Sequence, residues 1–176
     1  MKRALAAYFG LIVGCGASPS APVRIASRPS GTPLDFVYVA LDGAELSSAT
    51  TRGRATAIAF LTTYDLASQL VARRLDAALR RQRPRANGAG IVIEAPKYAP
   101  LADAFRSALG LSFPLAMADQ ATLDGDGPFG RIDRVPTLIV LDADGRETWR
   151  RSGSMRGREI EQALASASPR EFAPPP

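Results

Sequence analysis

Ala55-Thr56-Ala57-Ile58-Ala59-Phe60-Leu61, followed by Thr62-Thr63-Tyr64-Asp65-Leu66-Ala67-Ser68, is the stretch on which the fold turns. Its first seven residues form a short continuous apolar run, as expected of a central strand covered on both faces. After it, Leu66, Leu70, Val71, Arg74, Leu75, Ala78 and Leu79 recur at helical spacing as far as the cluster Arg80-Arg81-Gln82-Arg83-Pro84-Arg85. Asn87-Gly88 reads as a break, and Gly90-Ile91-Val92-Ile93-Glu94 as the next buried strand. A strand, a helix and a strand in that order imply a right-handed parallel crossover.

Working outward, Asp35 to Ala40 reads as a strand and Leu41-Asp42-Gly43-Ala44 as a turn. Downstream, Tyr98 to Leu109 makes a helix stopped by Gly110, and Phe113 to Met117 a short strand. Thr137 to Leu141 and Arg146 to Arg151 form a hairpin about Asp142-Ala143-Asp144-Gly145, and Ser154 to Ala165 a last helix. The expected fold is α/β, with a central mixed β-sheet flanked by helices.

The chain has 176 residues, of which 46% are hydrophobic, and a formal charge of +5. Residues 34–168 are long enough for one globular domain with a single core. Lys2 and Arg3 precede an apolar segment from Ala4 to Val13 that has the length of a signal-peptide core and is too short to span a bilayer. Loss of those two cations lowers the charge to about +3, too mild to argue for nucleic acid. The arginine cluster at the predicted helix end complements the helix dipole. Residues 15–33 and 169–176 are rich in Pro and small residues, and read as a tether and a tail without a core of their own.

Two resemblances follow. Ile12-Val13-Gly14-Cys15 resembles the lipobox of bacterial lipoproteins. It implies a signal peptide over residues 1–14, lipid on Cys15, and a protein anchored in the cell envelope facing the periplasm. Gly16, in place of an aspartate, favours the outer membrane. Multiple acyl chains exceed what stable anchoring requires.

The second resemblance covers nearly the whole domain. Asp42-Gly43, Arg52-Gly53-Arg54, Ala59-Phe60-Leu61-Thr62-Thr63-Tyr64, Phe129-Gly130, Arg134-Val135-Pro136-Thr137, Leu141-Asp142-Ala143-Asp144-Gly145-Arg146 and Gly153 resemble the thioredoxin-like, membrane-anchored thiol-disulfide reductases of the TlpA type. The resemblance implies a thioredoxin-like fold, a cis bond before Pro136 and a substrate groove walled by Tyr64, Asp65, Val135 and Pro136. It also implies that Asp65 and Ser68 occupy the positions of the two active-site cysteines.

Disulfide exchange needs an attacking thiolate and a resolving thiol. Cys15 is the single cysteine of the chain. No thiol-disulfide activity is therefore expected, and no catalytic residue is assigned. Asp65 is expected to cap the helix that follows it, which favours its charged form. Ser68 as a nucleophile would need a base, yet the chain has no histidine, and Lys97 is its single lysine beyond the signal sequence. Asp124-Gly125-Asp126-Gly127 and Asp142-Ala143-Asp144-Gly145 show only parts of a calcium-loop pattern and read as turns. No cofactor and no metal are expected. The leading reading is a redox-inactive lipoprotein that binds an envelope protein or an extended peptide. The alternatives are an oxidoreductase, as the family label alone would have it, and a structural envelope domain with a vestigial groove. No oligomeric state follows from the sequence.

Overall fold

The computed structural model describes residues 31–168. The expected signal peptide of residues 1–14, Cys15, most of the expected tether of residues 15–33 and the expected tail of residues 169–176 lie outside them.

The first core strand is the quoted run itself, β3 (Ala55–Leu61), with all seven residues buried. Before it come β1 (Val37–Val39), β2 (Glu45–Ser47) and one short helical turn, α1 (Ser48–Thr51). After it come α2 (Leu66–Gln82), β4 (Ala86–Val92), a 3-10 turn (Pro96–Tyr98), α3 (Ala99–Leu109), β5 (Leu115–Met117), α4 (Gln120–Asp124), β6 (Thr137–Leu141), β7 (Glu147–Ser152) and α5 (Gly157–Ala167). Five strands form a mixed sheet in the order β5-β4-β3-β6-β7. β3, β4 and β5 run parallel, and β6 and β7 are antiparallel to their neighbours. β1 and β2 form a separate hairpin, tied to β5 by a bridge between Ala40 and Ala116.

The alternation of side chains along β3 builds the two halves of the core. Ala55, Ala57, Ala59 and Leu61 face a layer made by Val71, Leu75 and Leu79 of α2, Phe105 of α3 and Ile160 and Leu164 of α5. Small side chains on this face let α2 lie close to the sheet. Ile58 and Phe60 face the other layer with Phe36, Tyr38, Phe129, Ile139 and Leu141. There, Phe129 meets Phe60 edge-on at 5.3 Å and Phe36 at 5.1 Å. Burial of Ile58, Phe60 and Leu61 contributes roughly 1.5–3 kcal/mol apiece.

Two sequence expectations are corrected, and two short helices are added. Asn87-Gly88 is no break, because both residues lie inside β4, paired with Thr56 and Ala57 of β3. A Cβ at Gly88 would stand 2.1 Å from Leu79 Cδ1, so the glycine serves close packing rather than a turn. The chain turns at Arg83-Pro84, whose peptide bond is cis. The last helix begins at Gly157 rather than Ser154, because the Glu159 carboxylate accepts from the Arg156 backbone N–H at 2.6 Å and fixes the start there. Finally, α1 and α4 carry too few residues to show periodicity. Each is set by a capping side chain, Ser47 and Asp119.

The arginine cluster is a paired helix end. Arg80 bonds Asp76 at 2.6 Å, Arg81 pairs with Glu161 of α5, and Arg83 donates to the Ser112 hydroxyl at 2.9 Å. Among the described residues no helix is long and apolar enough to cross a membrane.

Candidate functional site

Register fixes the place of the site. Leu61 pairs with Val92 on one side of β3, and Phe60 with Thr137 on the other. The loop of residues 62–65 therefore leaves the sheet between the exit of β4 and the entry of β6. Glu94 bonds it on the first side, and Val135-Pro136 lead into β6 on the second.

Asp65 is the N-cap of α2. Its Oδ1 accepts from the Ser68 backbone N–H at 2.8 Å, and its Oδ2 accepts from the Thr62 hydroxyl at 2.5 Å. The Ser68 hydroxyl oxygen in turn accepts from the Thr62 backbone N–H at 3.1 Å. Partial burial works to raise the pKa of Asp65, but hydrogen bonds from Ser68 and Thr62 outweigh it and hold the carboxyl below its ordinary value. Ser68 is fully buried. Thr62, Asp65 and Ser68 thus form one closed hydrogen-bonded loop. Lys97 stands 5.1 Å over the ring of Tyr98.

Thr62 and Glu94 were missed by sequence reasoning. The Glu94 carboxylate accepts from the Thr63 backbone N–H at 2.5 Å and from its hydroxyl at 3.1 Å, tying the loop to the end of β4. The available signal was a carboxylate closing an otherwise apolar strand run at the end of the sheet from which the loop departs.

On the other wall the Val135–Pro136 peptide bond is cis. Pro136 is buried and its carbonyl accepts from the Gly153 N–H at 2.7 Å. Thr137 Oγ1 donates to the Arg134 carbonyl at 2.6 Å and lies 2.6 Å from Ser152 Oγ. Upstream, Arg150 Nη2 donates to the Phe129 carbonyl at 2.8 Å while its guanidinium grips both oxygens of Glu147. The segment is therefore held at both ends. Between them, the half-buried Val135 has no hydrogen bond on its backbone N–H or C=O among the described residues.

Tyr64, in the loop that follows β3, has 78% of its surface exposed, and Leu66 at the start of α2 has 71%. An exposed aromatic and a stretch of backbone without internal partners are the two features by which an extended chain can be held, through a side-chain anchor and main-chain hydrogen bonds. Asp124 ends α4, and residues 142–145 form a turn closed by the Gly145 N–H on the Asp142 carbonyl at 3.0 Å. Gly125 caps α4 at φ 87°, and Asp142 Oδ1 accepts from the Asp144 and Arg146 N–H groups.

This architecture is a thioredoxin-like fold, and the solved structures it resembles agree. A thiol:disulfide interchange protein of the thioredoxin family from Chlorobium tepidum is 21% identical, with a TM-score of 0.68 over 81% of this chain and 99% of that one. A secreted Mycobacterium tuberculosis disulfide oxidoreductase homologous to Escherichia coli DsbE is 20% identical, with a TM-score of 0.61 over 74% and 95%. StoA from Bacillus subtilis is 16% identical, with a TM-score of 0.61 over 77% and 98%. No protein-family model matches the chain, and no curated protein matches it.

Proposed function

We propose that this protein is a redox-inactive thioredoxin-like lipoprotein of the bacterial cell envelope. It binds an extended segment of a partner protein in the groove between Tyr64 and Val135-Pro136. Two observations support the reading: Tyr64, just past the end of β3, is exposed, and the Val135 backbone, just before β6, has no internal partner among the described residues. An extended segment would satisfy that N–H and C=O as an added strand does, and Tyr64 would supply the side-chain contact.

The structural neighbours are named for disulfide exchange, a chemistry that requires two thiols. Here the matching positions are Asp65 and Ser68, and the one cysteine is Cys15. Lipid on Cys15 would hold the domain at the envelope surface, where an extended partner chain is reached without release into solution.

Photo-crosslinking from position 64 in the native envelope tests the groove. A discrete crosslinked partner, lost in Tyr64→Ala and Leu66→Ser pull-downs, is the expected result; unchanged recovery from both variants would refute it. Insulin reduction by the full chain should not exceed a protein-free control. Cys15→Ser should move the protein from the membrane to the soluble fraction.

A further inference from the structure

The end of the sheet away from the groove holds a cleft of about 400 Å³. Ala55 and Ala86, the first residues of β3 and β4, pair at this end, whereas Leu61 and Val92 pair beside the groove. The seven-residue strands put roughly 20 Å between the two places. The volume falls in the range of small-molecule sites, about 300–1,000 Å³.

The floor of the cleft is apolar. Leu46, Leu79 and Phe113 line it, and all three are buried. Gly88 gives Leu79 the room to pack there. Its lip is cationic, with Arg54 and Arg83 both lining it and both exposed. Neither is matched to a carboxylate or a carbonyl among the described residues, in contrast to Arg52, Arg74, Arg80 and Arg150. Arg83 donates to the neutral Ser112 hydroxyl at 2.9 Å, and Arg54 has no side-chain partner among the described residues. Glu45 on the same lining makes no ion pair with either, which leaves the site with one net positive charge. Uncharged donors and acceptors, Thr50, Asn87 and Ser112, complete the rim.

We propose that this cleft is a second binding site, separate from the groove, for a small amphiphilic anion. Its carboxylate or phosphate lies between Arg54 and Arg83, and its apolar body rests on Leu46, Leu79 and Phe113. Guanidinium forks suit both anions through paired hydrogen bonds. The apolar floor selects against a bare inorganic ion, and the net charge matches a monoanion.

Phenyl phosphate is the probe, titrated into the full chain by calorimetry and followed by amide NMR. Saturable binding should shift the amides of Thr50, Asn87, Gly88 and Ser112. Inorganic phosphate and phenol should each bind at least tenfold more weakly, because each offers half of the recognition. Arg54→Gln and Arg83→Gln should each weaken binding tenfold or more with the rest of the amide spectrum native. Arg131→Gln, remote from the cleft lining, should leave it unchanged. Dihexanoylphosphatidic acid below its micellar concentration separates the sources: tighter binding than phenyl phosphate points to a lipid, weaker binding to a soluble metabolite, and the site stands in both cases. No saturable binding, affinity untouched by both Arg54→Gln and Arg83→Gln, or shifts centred on Tyr64 and Val135 would overturn the proposal. Because the groove is tested separately by crosslinking from position 64, either reading can fail alone.

Discussion

Asp65 shows how the start of a helix fixes what one side chain can do. At the start of α2, a side chain meets free backbone N–H groups and the positive end of the helix dipole. A thiolate would be activated there, whereas Asp65 is used up by the Ser68 N–H and the Thr62 hydroxyl. Its lowered pKa makes it a poor proton acceptor near neutrality. Ser68 is equally committed, since its buried hydroxyl oxygen serves the Thr62 N–H. Asp65→Ala should cost about 1 kcal/mol in urea denaturation, the usual size of a lost N-cap, and Asp65→Ser should recover much of it. Against roughly 1.5–3 kcal/mol for each buried side chain such as Phe60, that loss leaves the fold intact. The cap was legible because Asp65 directly precedes a helical period. The Glu94 contact was not, because it joins residues 31 positions apart.

At the scale of elements, β4 carries the instructive correction. Its sequence Ala86-Asn87-Gly88-Ala89-Gly90 has the composition of a turn but the conformation of a strand. Gly88 and Gly90 lie on one face, where Cβ atoms would stand 2.1 Å from Leu79 Cδ1 and 2.3 Å from Leu115 Cδ2. The missing side chains make room for α2 and β5. Gly88→Ala should therefore destabilise by about 1–3 kcal/mol, the cost of overpacking a close contact, read as a lower thermal midpoint. A neutral result would mean that Leu79 has another rotamer available. The strands β3 and β6 and the helix α2 were legible within a residue or a few, because each carries its own periodicity. The short α1 and α4 were not, because a single capping side chain defines each.

For the whole molecule, three carboxylates link stability to pH. Burial raises the pKa of Asp76, but hydrogen bonds from Ser112 and Arg80 bring it below its ordinary value. The Arg156 N–H, against slight burial, lowers that of Glu159, with help from Arg151. Asp65 is lowered in the same direction. A carboxylate with a lower pKa folded than unfolded adds stability above the unfolded value, and that stability is lost as pH falls through the folded value. The urea midpoint should therefore hold from neutrality to about pH 4–4.5 and decline below it, near the ordinary carboxylate range of roughly 3.9–4.3. Asp76→Asn should flatten that decline, and an equally steep fall in this variant would show that other groups carry it.

The sequence by itself determined the strand and helix pattern, the α/β class, the thioredoxin-like arrangement, and the presence of one cysteine where exchange chemistry needs two. The pattern and the class rest on local periodicity, the cysteine count on composition, and the thioredoxin-like arrangement on the resemblance carried by motifs such as Val135-Pro136-Thr137. Only the tertiary structure decided that Thr62, Asp65 and Ser68 close into one loop, that Glu94 anchors it, and that the Val135 backbone has no internal partner among the described residues. It likewise decided that Arg54 and Arg83 share a cleft. Those groups are brought together by sheet register and by close packing over glycine and alanine, and contacts between distant residues leave no period in the chain.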